Sequence, residues 1–426
     1  MRVRTFAVVV ALTASTSTSL RGQESFRTLS IADAVSESLQ HNAALQAQRM
    51  NLTIADAAIL TAGLRPNPVL SGDADHLDLL GTGFDDTNNA GPPEYGVRID
   101  FPIERGKKRD LRLGVAQLGH DLAAAQLADT VRRLKIDVLV ASIDVLEAKA
   151  KLALARENLD TLQRLVDLNQ RRLTSGAIAP LEAIRSRVAM LQYRGNVRTA
   201  ELNLTQARLR LLPLLGAKPG DAPIDIDDDL AARPPETPPV LSDLQATARA
   251  KRPDVLAARA EQARSQADLR LQLGQAKIDY TVGTEYRRQQ GIAGKGNMLG
   301  FFVSAPLPIF NRNQGEIARA QADEERTRQS AASVDIDVST DVASAFREFE
   351  SSRRLLLEIE QDLLEPARSA RAGTTYTYQA GATSLLDVLD AQRAFNDTMD
   401  SYYTAQAAYR RAEAKLALVA GDEVTR

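Results

Sequence analysis

Apolar residues recur in this chain with a period of 3.5 over a long distance. From Ala124, alternating steps of three and four residues reach Leu173, and every position visited is apolar except Asn169. Seven heptads of this kind predict a helix that packs as a coiled coil, from about Lys107 to Ser175. At 1.5 Å per residue it would be about 100 Å long. Ala124, Ala141, Ala148 and Ala155 sit on the stripe and permit close approach of a neighbouring helix. A second stripe runs through Ala345, Phe349, Leu356, Ile359 and Leu363, and Pro366 is expected to kink the helix that carries it.

Elsewhere the period drops to two. Tyr95, Val97, Ile99 and Phe101 alternate with Gly96, Arg98 and Asp100, which predicts a strand with an apolar face. Ile278 to Tyr286 and Met298 to Leu307 flank a Gly-rich tip and predict a hairpin. An opening helix from Ile31 to Leu64 ends at Pro66 to Pro68, because proline cannot continue the hydrogen-bond ladder.

These elements occur twice. Gly176-Ala177 repeats as Gly381-Ala382, Leu181-Glu182 as Leu386-Asp387, and Gly216 as Gly421, all at an offset of 205 residues. Phe101-Pro102-Ile103 is echoed by Leu307-Pro308-Ile309 at a slightly different offset. The expected class is mainly α with β-hairpins, in two repeats of helix, β-hairpin, long helix, helix. The first repeat is expected over 23–216, with strands in 66–103, the long helix over 107–175 and a return helix over 178–213. The second covers 241–426, with strands in 278–308, the long helix over 313–379 and a return helix over 383–420. Between them, 217–240 reads as a Pro-rich irregular linker outside the bundle, and the acidic run Asp225 to Asp229 as a solvated loop.

Composition narrows the chemistry. A formal net charge of −2 with interspersed signs lacks the basic footprint of a nucleic-acid binder. His41, His76 and His120 are far apart and show no metal-ligand spacing, and no nucleophile motif or phosphate loop is present. No enzymatic activity, cofactor or metal site is therefore expected. Arg2 and Arg4 followed by the apolar run Phe6 to Leu12 read as a signal peptide over 1–22, cleaved after Ser19 or Gly22. The absence of Cys fits export and argues against a cysteine-linked lipid anchor. No later segment is long and apolar enough for a transmembrane helix.

Tyr378-Gln379-Ala380-Gly381-Ala382-Thr383-Ser384-Leu385-Leu386-Asp387-Val388-Leu389-Asp390-Ala391 resembles the helix-turn motif of the TolC family of outer-membrane efflux proteins. Gly176 to Arg185 is a weaker first-half version. Leu307 to Gly315 resembles the CzcC and CusC branch, which serves heavy-metal efflux. The likeness covers nearly all of the chain after the signal peptide. It implies a homotrimer in the outer membrane with a large periplasmic extension: a trimeric α-barrel tunnel joined to a shared 12-stranded transmembrane β-barrel, to which each chain gives four strands.

The same resemblance assigns roles to residues. Asp387 and Asp390 share a helix face and would form a cation-attracting gate, although acids in a first turn also suit the helix dipole. Tyr378 and Glu182 match positions that latch neighbouring helices. Thr383 stands where some relatives carry a latch arginine, and Arg185 is the expected replacement cation. Gly176, Ala177, Leu181, Gly381, Ala382 and Leu386 would form the turns that face a periplasmic adaptor. The partners implied are that adaptor, an inner-membrane transporter of the RND type, and outer-membrane lipid. Drug efflux, type I secretion and a non-pore periplasmic scaffold remain open alternatives.

Overall fold

The computed structural model describes residues 27–77, 79–81, 93–218, 221–231, 234–235, 238–291 and 294–421. The signal-peptide expectation lies outside them. The described chain is mostly helical. A short strand β1 (Arg27–Leu29) leads into α1 (Ile31–His41) and α2 (Ala43–Ala62). Strands β2 (Val69–Asp75) and β3 (Glu94–Ile103) follow, then α3 (Lys108–Thr174) and α4 (Pro180–Leu215). The second half holds β4 (Ile224–Ile226), α5 (Leu241–Lys251), α6 (Pro253–Gln275), β5 (Tyr280–Gly291) and β6 (Gly294–Ser304). It closes with α7 (Gln314–Glu358), a π-helical turn (Ile359–Leu363), α8 (Leu364–Gln379) and α9 (Leu385–Val419).

Local chemistry explains the breaks. Asn42 ends α1 and starts α2, so the opening helix is two helices rather than one. Its Oδ1 accepts from the Leu45 amide at 3.0 Å, while its Nδ2 donates to the last-turn carbonyl of Leu214 at 3.0 Å. One side chain thus caps one helix and closes another. Pro366 does not end the second long helix. Its missing amide falls within α8, and the register change is absorbed by the π turn immediately before it.

The Pro-rich stretch read as an irregular linker carries β4, which pairs in parallel with β1. Ile224 and Ile226 are buried in the same core as Val138, Val145, Leu211 and Leu215. Asp225 sits 3.0 Å from both Lys149 and Arg208, so the first acid of the run is paired against the bundle. A second core joins α7 to α9 through Val342, Phe349, Leu356, Tyr409 and Leu416. A smaller one under the far turns holds Leu162, Leu165, Tyr378, Leu385 and Val388.

The strands correct one expectation. Among the described residues no 12-stranded closed barrel is formed. The sheet is open and four-stranded, in the order β2-β3-β5-β6, antiparallel throughout, with β2 and β6 each paired on one side only. Four strands fall short of the roughly eight with which small barrels close. Nor is any helix among the described residues long and apolar enough to cross a membrane. The sheet is two-faced. Tyr95, Val97 and Phe101 of β3, Val282 and Tyr286 of β5, and Leu299, Phe301 and Val303 of β6 are aligned by the register and exposed. The opposite face carries ion pairs, including Arg98 with Asp100 at 2.9 Å and Arg287 with Asp73 at 2.6 Å.

Candidate functional site

At the end of the bundle remote from the sheet, α3 turns into α4 and α8 into α9. Both turns are built alike. Gly176 (φ 70°) and Gly381 (φ 79°) adopt the left-handed conformation just past the helix. The amide of Ala177 then reaches the Arg172 carbonyl at 2.8 Å, and that of Ala382 the Thr377 carbonyl at 2.9 Å. This is the Schellman closure that glycine permits. A Cβ at either glycine would meet nothing within 4 Å, so backbone conformation rather than space calls for glycine there.

α9 begins with a reciprocal cap. The Asp387 amide donates to the Ser384 hydroxyl at 3.3 Å, and the Asp387 carboxylate accepts from the Ser384 hydroxyl at 2.8 Å and from its amide at 3.0 Å. These hydrogen bonds hold the Asp387 carboxyl below the usual range. Asp387 and Asp390 are both exposed, and Asp390 lies 3.8 Å from Arg393 on the next turn.

The two turns enclose an open cleft of about 790 Å³ lined by Arg172, Leu181, Glu182, Arg185, Tyr378 and Leu386, among others. Tyr378 is buried, and its phenol oxygen lies 2.6 Å from Asn169 Oδ1 and 2.9 Å from Glu182 Oε1. A phenol has one proton, and Asn169 Oδ1 and Glu182 Oε1 are both acceptors, while the buried Asn169 Nδ2 has no partner among the described residues. Turning the Asn169 amide over removes the conflict. Its NH2 then donates to the phenol, and the phenol donates to the carboxylate. Burial, followed by the Glu182 carboxylate, pushes the Tyr378 phenol above its ordinary pKa.

Arg172 completes the cluster. Its guanidinium lies 5.1 Å from the centre of the Tyr378 ring and donates to the Gln379 carbonyl at 2.7 Å, fastening the end of α3 to the end of α8. Arg185 lines the same cleft and is exposed, with no hydrogen bond or ion pair among the described residues. Thr383 hydrogen-bonds Thr377 at 3.1 Å. Leu181 and Leu386 are 56% and 63% exposed at the tip. Asn169 left a signal in the sequence as the single polar residue on the heptad stripe. Arg172 left none, because it lies off the stripe among other arginines.

Above this level the seam between α3 and α9 is polar as well. Gln392 Nε2 donates to Asn158 Oδ1 at 2.8 Å, and Asn158 Nδ2 donates to Asn396 Oδ1 at 2.6 Å. Among the described residues no group of three or more His, Cys, Asp or Glu could hold a metal ion.

An open sheet with an exposed apolar face is thus joined to helices of which the longest, α3, spans about 100 Å, and the bundle ends in two matching glycine turns. Comparison with known proteins gives the family. Residues 34–217 and 244–422 match the outer membrane efflux protein family, and the chain belongs to it. It is therefore an outer-membrane efflux channel and, by that membership, not an enzyme. It is similar to the cobalt-zinc-cadmium resistance protein CzcC of Cupriavidus metallidurans, with 28% identity over 91% of this chain and 89% of the relative. It is also similar to the pyoverdine export outer membrane protein OpmQ of Pseudomonas putida, with 24% identity over 88% of this chain and 82% of that one. Among solved structures, CusC superposes with a TM-score of 0.75 at 18% identity, over 93% of each chain.

Proposed function

We propose that the chain is the exit duct of a tripartite efflux system for heavy-metal cations, working as a homotrimer with a periplasmic adaptor and an inner-membrane transporter of the RND type. The observation that carries the metal reading is the likeness to CzcC across 91% of the chain. Two repeats, 23–216 and 241–426, joined through 217–240, would each supply one helix pair to the duct wall.

In this reading the cleft between the turns is the gate. Asp387 and Asp390 are exposed on the first turns of α9, and three copies would gather six carboxylates round a narrow opening. Such a ring attracts cations and repels anions. Tyr378 bound to Glu182, with Arg172 beneath, holds the two turns of one chain together in the closed arrangement, and Arg185 is a free cation within reach of the same cleft. Gly176, Ala177, Gly381 and Ala382 shape the tips, and exposed Leu181 and Leu386 offer the apolar surface on which an adaptor would dock.

Deletion of the gene tests this directly. Cells lacking the chain should accumulate cobalt, zinc or cadmium and regain tolerance with the wild-type copy. Unchanged metal content would overturn the cargo assignment. The likeness to OpmQ favours a second cargo, pyoverdine, which the same deletion would reveal as lost export.

A further inference from the structure

The four places where strand meets helix carry a cation excess that the duct reading does not use. Arg65 follows α2. Arg105 and Lys107 lie on the link from β3 to α3, Arg109 in the first turn of α3, Lys277 on the link from α6 to β5, and Arg312 on that from β6 to α7. All six are exposed. They share one level, because the junctions are laced together. Arg109 Nε donates to the Gly63 carbonyl at 2.6 Å, the Arg105 amide to Asp279 at 2.8 Å, and Asn313 Nδ2 to the Gln272 carbonyl at 2.8 Å.

Most acids at this level are already engaged. Glu104 pairs with Arg112, and Asp279 with buried Lys108 at 2.7 Å. Asp110, in the first turn of α3, is exposed and offsets one charge. The side chains of Arg65, Lys107 and Lys277 have no hydrogen bond or ion pair among the described residues. Among the described residues the Arg312 side chain donates only to the Pro308 carbonyl, at 3.2 Å. This excess stands on a chain whose formal net charge is −2.

Two further observations point to the occupant. Leu307, Ile309 and Phe310 are 77%, 62% and 90% exposed, next to Arg312 and continuous with the apolar face of the sheet through Val303, Tyr280 and Ile103. An apolar belt bounded by long cationic side chains fits the boundary between hydrocarbon and headgroups. In addition, Lys107 is held at φ 57°, a left-handed conformation disfavoured for L side chains, whereas the matching turn in the second half uses Asn313 at φ 63°.

We propose that this collar binds the phosphate groups of anionic phospholipids in the leaflet nearest the helices and so sets the depth at which the sheet sits. Cations spread over all four junctions, beside an apolar belt, suit a lipid surface better than an acidic protein, which would meet them on one side. The proposal rests on the outer-membrane location of the family.

Thermal melting of the purified full chain in detergent tests it, with added phosphatidylglycerol, phosphatidylcholine or inorganic phosphate. Phosphatidylglycerol alone should raise the midpoint. Its apparent affinity should fall about fivefold for each cation removed, and the combined variant Arg65→Gln, Lys107→Asn, Lys277→Gln and Arg312→Gln should lose the response. Neutralising Arg164, Arg194, Arg198 and Arg354 instead should preserve it. If the combined variant does not fold, Lys107→Asn alone, which places the residue of the matching turn, should still weaken the lipid about fivefold. An equal response to phosphatidylcholine, a response to inorganic phosphate, or undiminished affinity in Lys107→Asn would overturn the proposal.

Discussion

The phenol oxygen of Tyr378 lies 2.9 Å from a carboxylate oxygen of Glu182, although 196 residues separate them in the chain. The contact spans the two helix pairs, because Tyr378 ends α8 and Glu182 begins α4. Tyr378→Phe removes it and leaves a buried Asn169 amide with one partner fewer. The expected cost is about 1–3 kcal/mol of stability, read from denaturant unfolding. Under the gate reading, single-channel recordings should also show a larger mean conductance. Glu182→Gln, which still offers an acceptor, should have a smaller effect on both.

The acidic pair makes a separate prediction. Asp387→Ala with Asp390→Ala should weaken block of the pore by added divalent cations, measured as the concentration that halves the current. Unchanged block would remove these residues from the gate and leave the duct untouched.

Ser384→Ala separates the capping role of Asp387 from any role in the pore. Loss of the Ser384 hydroxyl should cost about 1 kcal/mol. The sign of the acid dependence follows from the depressed Asp387 pKa. Its stabilisation is present above the ordinary carboxylate value and is lost as pH falls through and below it. Melting curves below about pH 4 should therefore be less pH-sensitive in Ser384→Ala than in the parent.

On the alkaline side the sign reverses. Burial, then the charge of Glu360, pushes the Tyr402 phenol up to about 12. The unfolded chain releases that proton near pH 10, so the contribution is complete below about pH 10 and falls away towards pH 12. Tyr402→Phe should flatten part of that decline in equilibrium unfolding.

Glycines that look equivalent in the sequence should behave differently. A Cβ on Gly216 would fall 2.2 Å from the His41 carbonyl oxygen, so Gly216→Ala must displace the α1–α2 corner. At Gly381 the space is open and only the left-handed backbone penalty applies, about 1–2 kcal/mol. Thermal melts should rank Gly216→Ala well below Gly381→Ala.

Periodicity carried far in this chain, and its failures are instructive. The heptad stripe from Ala124 lies within α3, and the alternation at Tyr95, Val97 and Phe101 does mark an exposed apolar face, since side-chain period follows backbone geometry. The opening helix could not be seen to break at Asn42, because the break depends on a contact with Leu214, far along the chain. The ordering of 224–226 was hidden for the same reason: β4 exists only through its pairing with β1. The 12-stranded barrel came from family likeness rather than from the residues, and the chain forms four strands in an open sheet. At the turns, glycine positions and the acidic pair were legible as motifs. Arg172 was not, since its place beside the Tyr378 ring and the Gln379 carbonyl depends on contacts between residues far apart in the chain.

As an efflux duct this chain should conduct, with cations favoured at the turn that opens α9. Conductance of the purified full chain in a planar bilayer, under a salt gradient, tests it most directly. Discrete current steps are expected, with a reversal potential that shows cation preference, and that preference should be reduced in the Asp387→Ala, Asp390→Ala variant. A bilayer that carries no steps above its bare leak would contradict it.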